Sequence, residues 1–283
     1  MSASRSRWTD PGAVEPLFLD SPAGPLFALH RPSDNAREMA VLWLPPFAEE
    51  MNRSRPMAVA LGRALAAHGV GALLLDPHGT GDSAGDFAAA RWDIWREEAV
   101  TAIDWLIAQG YRRVIPLGLR LGACLALDAA ARAPAHVARV VLWQPVLRGR
   151  NQMTDFLRLR AAAALAGGDA ETPKMLRQRL ARGEILEIGG YPLAPELAAA
   201  VEALTLEGLG TDWGGAIDWF DIAGEPSAAV PPPRRAVLDR WVTQGLNATM
   251  TVVAGPPFWR IEEPVPVPVL VARTVDAITA GEA

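Results

Sequence analysis

From about Met39 to Val146, short runs rich in leucine and β-branched residues alternate with longer alanine-rich segments of helical period. That alternation predicts a parallel β-sheet with crossover helices. Ahead of it, EPLFLD and PLFALHR are separated by SPAG and predict a hairpin. MAVLWLPPF reads as a buried strand ending at a Pro-Pro turn. Asn52 is placed to cap the helix RSRPMAVALGRALAAHG, whose Met57, Leu61 and Leu65 share one face and which Gly69 is placed to end. GVGALLLD is the next strand. In WDIWREEAVTAIDWLIAQG the residues Trp92, Trp95, Ala99, Ile103 and Leu106 form one helical stripe, the spacing of core packing. RRVIPLGLR, LGACLALDAAARA and ARVVLWQPV then predict strand, helix and strand.

The pattern changes between residues 147 and 212, where arginine, alanine and leucine dominate and strand formers are sparse. This segment predicts a helical insertion within one domain spanning 1–283. The sheet pattern resumes with AIDWFDIAG, a proline-rich turn PPPRR, the helix AVLDRWVTQG, the strand ATMTVVAG and a last helix VLVARTVDAITA. The PVPVP run from Pro264 to Pro268 shapes the loop before that helix.

Composition narrows the function classes. Half of the 283 residues are apolar and 21% are charged, the profile of a globular protein with one large core. A net charge of −5 leaves no electrostatic footprint for nucleic acid. One cysteine, Cys124, excludes a disulfide within the chain, and four histidines (His30, His68, His78, His136) argue against a Cys/His zinc cluster. No motif implies a cofactor. The N-terminal MSASRSRWTDPG has arginines but no apolar block after them, so it reads as neither a secretory signal nor an anchor. The stretch Leu121 to Trp143 is interrupted by Asp128, Arg132, Pro134, His136 and Arg139 and cannot span a bilayer. Integral membrane association is not expected, and a cytoplasmic location is.

The segment VIPLGLRLGACLAL carries glycines two residues before and two after Arg120, at a predicted strand-to-helix junction. This is the backbone signature of a nucleophile elbow, in which flanking glycines let neighbouring chain pass close to a strained central residue. Upstream, the loop DPHGTGDSAGD resembles the turn after the fourth strand in α/β-hydrolases. With LPPFAEEMNRSRPMA, GTGDSAGDF followed by RWDIW, GLRLGA and WQPVLRG, the chain resembles the second hydrolase family associated with exosortase A systems, strongly from Val41 to Arg158 and loosely beyond. The resemblance implies an α/β-hydrolase fold, a mostly parallel sheet flanked by helices with a helical cap after the sixth strand. It also implies a bacterial setting of exopolysaccharide production and protein sorting, and no substrate.

Serine-hydrolase chemistry needs a hydroxyl nucleophile, an imidazole base and a carboxylate that holds the imidazole tautomer. The nucleophile position here is Arg120, whose guanidinium stays protonated and has no lone pair for attack. The base belongs near GPPFWRIEE, yet the last histidine is His136. Asp221 and Glu225 remain as carboxylates after the seventh strand, and without partners they read as solvated loop acids. Cys124, one turn beyond Arg120, reads as a buried structural thiol. His78 borders the expected pocket mouth, where loop hydrogen bonding competes with an acid or base role. Ser83 reads as a turn former bonding local backbone.

A cation just before a helix N-terminus is disfavoured by about 0.3–1 kcal/mol, so Arg120 calls for an anion nearby. Glu49 and Glu50 are the internal candidates and would form a salt bridge. The other candidate is an anionic ligand, held by Arg120 with backbone N–H groups of Leu121 and of Phe47 or Ala48, with Glu49, Glu50 and His78 around it. Arg148, Arg150, Arg158, Arg160, Arg177, Arg179 and Arg182 give the insertion either a solvated face or a basic surface for an acidic glycan, a lipid-linked sugar phosphate or a membrane. Three readings follow: a binding or accessory protein without Ser-His chemistry, a hydrolase in which Glu49 or Glu50 activates water while Arg120 polarises the substrate, and a scaffold whose pocket is filled by its own side chains.

Overall fold

A computed structural model describes residues 13–33, 38–210, 213–225 and 229–280. The N-terminal segment read above as neither signal nor anchor lies outside the described residues, as do the last two positions of the insertion.

The predicted hairpin forms from β1 (Glu15–Leu19) and β2 (Leu26–Arg31), paired antiparallel. The chain continues through β3 (Met39–Leu44), α1 (Glu49–Ala66), β4 (Gly71–Leu75), α2 (Trp92–Ala108), β5 (Arg113–Leu119), α3 (Gly122–Arg132) and β6 (Arg139–Trp143). Next come α4 (Gly149–Ala166), α5 (Pro173–Ala181), the short β7 (Leu186–Ile188) and β8 (Tyr191–Leu193), and α6 (Pro195–Ala203). The sheet is completed by β9 (Ala216–Ala223), α7 (Pro232–Thr243), β10 (Asn247–Ala254) and α8 (Pro268–Thr279). Strand order is β1-β2-β4-β3-β5-β6-β9-β10, parallel from β4 onward and antiparallel at β1 and β2. This is the α/β-hydrolase fold.

Strand alternation sorts the core into two layers. On β3, Ala40, Leu42 and Leu44 join the larger cluster beneath α2, α3 and α7, while Met39, Val41 and Trp43 join the one beneath α1 and α8. A central strand buried on both faces therefore needs an unbroken apolar run, which is what MAVLWL supplies. The α2 stripe of Trp92, Trp95, Ala99, Ile103 and Leu106 is buried in the larger core, and Trp95 Nε1 donates to the His78 carbonyl at 2.9 Å.

Three local expectations are corrected. Asn52 does not cap α1: the helix begins at Glu49, three residues earlier, and the N-cap position is Ala48. Two acids in the first turn favour that earlier start through the helix dipole. The PPPRR segment is not a turn but opens α7 from Pro232, because proline suits the first helical turn, where its missing N–H has no partner to lose. The chain between β6 and β9 is also not wholly helical. β7 and β8 pair antiparallel around Gly189 and Gly190, whose φ angles of 57° and 87° are those of a primed hairpin turn. The Gly-Gly dipeptide was the available signal, and strands of three residues are too short to register as a period.

Candidate functional site

The site is built at the C-terminal edge of the sheet, where β3, β5, β6 and β9 end. Arg120 stands between β5 and α3 with φ 56°, a left-handed conformation costing about 1–3 kcal/mol in a side-chain-bearing residue. Neighbouring chain holds it there: Arg120 N–H donates to the Trp143 carbonyl at 3.0 Å, and its own carbonyl accepts from Val146 N–H at 3.2 Å. Both flanking glycines are sterically required. A Cβ on Gly118 would lie 2.1 Å from the Gly122 carbonyl oxygen, and one on Gly122 would lie 2.3 Å from that of Leu44. The elbow geometry is therefore intact around a residue that cannot be a nucleophile.

The Arg120 side chain is held by three elements. Its Nε donates to Glu50 Oε1 at 3.3 Å, from the first turn of α1, and its Nη2 donates to Gln152 Oε1 at 2.8 Å, from α4. Its guanidinium carbon lies 5.5 Å from the ring centre of Trp259, in the segment after β10. Arg120 is 8% exposed, and its Nη1 makes no hydrogen bond among the described residues. Gln152 and Trp259 escaped the sequence reading. Trp259 sits in the GPPFWRIEE segment where a catalytic histidine was sought, so the absence of that histidine was itself the signal.

Of the two glutamates, Glu50 makes the ion pair. It is 5% exposed, and burial pushes its carboxyl up to about 7 against the opposing attraction of Arg120, with the like charge of Glu49 adding to the rise. Glu50 Oε2 is buried without a partner, as is Glu49 Oε2. Glu49 is also pushed up, first by burial, while Arg53 and Arg120 pull it down. Ala48 has φ 51°, and the backbone N–H groups of Ala48 and Leu121 make no hydrogen bond among the described residues. Phe47 packs edge-on against Phe87 at 5.5 Å and against Phe156 of α4 at 5.1 Å. A cavity of about 20 Å³, lined in part by Phe47, Ala48 and Leu121, adjoins this backbone. That is room for about one water.

Other candidates are not drawn into this cluster. The His78 backbone N–H donates to Glu98 Oε2 at 2.8 Å, and burial pushes its imidazole down. No hydrogen bond or ion pair links His78 to Arg120 among the described residues. Ser83 Oγ donates to the Asp76 carbonyl and accepts from Phe27 N–H at 2.8 Å, the local backbone role expected of it, extended to β2. Cys124 is buried, its thiol pushed up to about 12 by desolvation. Glu225 is exposed.

Asp221 corrects the expectation of a solvated loop acid. It lies within β9, is 4% exposed, accepts from Trp219 Nε1 at 2.8 Å and pairs with Arg234 Nη1 at 2.9 Å. The predicted strand AIDWFDIAG holds Asp221, and the charge is buried there because it finds a cation and an indole donor inside. Five of the seven arginines of the insertion, Arg148, Arg158, Arg160, Arg177 and Arg179, have a carboxylate partner, and for Arg150 and Arg182 no ion pair is seen among the described residues. Nine acids outnumber the eight lysines and arginines between 147 and 212. Among the described residues no cluster of His, Cys, Asp and Glu is arranged to hold a metal ion, and no helix is long and apolar enough to cross a membrane.

Comparison with known proteins agrees with this architecture. The sequence model of the family described as serine aminopeptidase, S33, matches residues 38–175, just under half of the chain. No curated protein matches the chain. Among solved structures, Est1E from Butyrivibrio proteoclasticus with ferulic acid bound superposes with a TM-score of 0.65 at 15% identity, covering 94% of this chain and 98% of its own. Mouse alpha/beta hydrolase domain-containing protein 10 gives 0.62 at 16% identity, covering 95% and 100%. A putative hydrolase from Agrobacterium vitis S4 gives 0.55 at 19% identity, covering 96% and 99%. At these identities the likeness is one of fold, and the chain is an α/β-hydrolase-fold protein.

Proposed function

We propose that the chain is a binding or accessory protein on an α/β-hydrolase scaffold, cytoplasmic, working in the bacterial exopolysaccharide and protein-sorting setting that its resemblance to the exosortase-associated hydrolases implies. In this reading Arg120 receives an anionic small molecule or glycan-related ligand where a hydrolase places its serine. The insertion between 147 and 212 acts as a cap over it. The observation that carries the reading is the intact elbow geometry around Arg120, whose guanidinium keeps one nitrogen free while Glu50 and Gln152 hold the others. The N–H groups of Ala48 and Leu121, without a hydrogen bond among the described residues, are further donors at the elbow. Because the cavity lined in part by Phe47, Ala48 and Leu121 holds about one water, uptake requires side chains around the elbow to move. The protein is expected to resist fluorophosphonate labelling and to show no ester turnover that depends on the elbow. Ester hydrolysis abolished by Arg120→Ala would refute the reading. So would a wild-type protein that no anion stabilises, the result expected of a self-filled scaffold.

A second reading, a hydrolase using a carboxylate-activated water, is favoured by one feature. Glu50 is held near pH 7, the range of a general base, and both Glu49 and Glu50 carry an unpartnered oxygen. It predicts turnover that is lost in Glu49→Gln or Glu50→Gln with the fold retained, and equal rates in both variants and wild type eliminate it.

A further inference from the structure

We propose that Arg234 is a second arm of the anion site, and that Arg120 and Arg234 together receive a doubly charged phosphoryl-type group in preference to a carboxylate. This rests on the reading of Arg120 as an anion receptor and adds to it the class of anion.

Four observations converge. Both arginines stand at helix N-termini, Arg120 just ahead of the Leu121 cap of the eleven-residue α3 and Arg234 in the first turn of the twelve-residue α7. A cation is disfavoured there and an anion favoured, because unsatisfied N–H groups carry partial positive charge. The two side chains are also clamped alike. Each has a buried acid on one edge and an indole against its face: Glu50 and Trp259 for Arg120, Asp221 and Trp219 for Arg234, with ring distances of 5.5 and 5.7 Å.

Each guanidinium also has donors to spare. Arg234 engages only Nη1, to Asp221 Oδ1 at 2.9 Å and the Pro145 carbonyl at 3.3 Å, so its Nε and Nη2 make no hydrogen bond among the described residues. Arg120 keeps Nη1 free. Finally, the two flank a single dipeptide: Val146 N–H donates to the Arg120 carbonyl at 3.2 Å, next to the Pro145 carbonyl that Arg234 holds. They are close enough that the charge of Arg120 adds to burial in pushing the Arg234 guanidinium down. An anion between them removes that repulsion. Two planar forks with spare N–H groups suit the three oxygens of a phosphoryl group better than the two of a carboxylate.

The test is calorimetric titration of the full chain with inorganic phosphate and with acetate at matched ionic strength, on wild type, Arg120→Gln, Arg234→Gln and Arg234→Lys, with circular dichroism as the check on folding. Wild type is expected to bind phosphate at least tenfold more tightly than acetate. Arg234→Gln should lose that preference, its phosphate affinity falling at least tenfold more than its acetate affinity, and Arg234→Lys, which keeps the charge without the fork, should fall between. A phosphate preference that persists in Arg234→Gln, or is absent from wild type while acetate binds, overturns the inference and leaves the binding role of Arg120 standing. Anion binding unchanged in Arg120→Gln overturns the proposed function itself. Should Arg234→Gln not fold, a full preference in Arg234→Lys counts against the inference.

Discussion

Replacing Glu50 with glutamine tests whether burial or ion pairing governs the elbow. The Glu50 carboxyl rises from an ordinary 4.5 to about 7 on folding, with desolvation outweighing the Arg120 contact at 3.3 Å. A carboxyl raised in the folded state binds a proton more tightly there than in the unfolded chain. Its contribution is therefore fully present below about pH 4.5 and is lost as pH rises through about 7. At about 1.4 kcal/mol for each tenfold difference in proton affinity, that loss is on the order of 3 kcal/mol for wild type and zero for Glu50→Gln. The difference in unfolding free energy between the two, measured by urea titration at about pH 5 and about pH 8, should move by about 2–3 kcal/mol in favour of the variant at the higher pH. Measuring a difference cancels the other titrating carboxyls, Glu98 among them, which burial also raises to about 7. A difference that is flat with pH, or that turns against Glu50→Gln at the higher pH, would refute the reasoning and mean that the Arg120 pair more than repays its desolvation.

Three further outcomes are expected. Cys124, buried with its thiol pushed up to about 12, should resist a thiol-specific chromogenic reagent in the native protein and react at once in denaturant. Gly122→Ala places a Cβ 2.3 Å from the Leu44 carbonyl oxygen and should destabilise by roughly 1–3 kcal/mol, read as a lowered urea midpoint with unchanged slope. Trp259→Ala removes a buried indole, 3% exposed, beneath Arg120 and should cost about 3–5 kcal/mol. Trp259→Phe should recover most of that loss by the same measurement.

Much of the scaffold was legible because its signals are local. Strands buried on both faces demand unbroken apolar runs such as MAVLWL, the α2 stripe repeats at helical spacing, and the Gly118–Arg120–Gly122 spacing announces a turn that only glycines can flank. The absence of a serine at the elbow and of a histidine after His136 was equally plain. What could not be read were distances between residues far apart in the chain. That Arg120 closes on Glu50, 70 positions away, and on Gln152, 32 away, is a choice among several acids and amides that no period encodes.

Asp221 shows the same division. Its run reads as strand, yet nothing in that run marks the acid as buried: Arg234 of α7 and the Trp219 indole, two residues back on β9, give it partners inside the sheet, and a charge can be buried only where such partners are delivered. The sequence by itself determined the class of fold and the absence of a serine at the elbow and of a histidine beyond His136, because periodicity and residue identity suffice for both. Tertiary structure decided which charges meet at the elbow, because pairing depends on how α1, α4, α7 and the segment after β10 converge on one sheet edge.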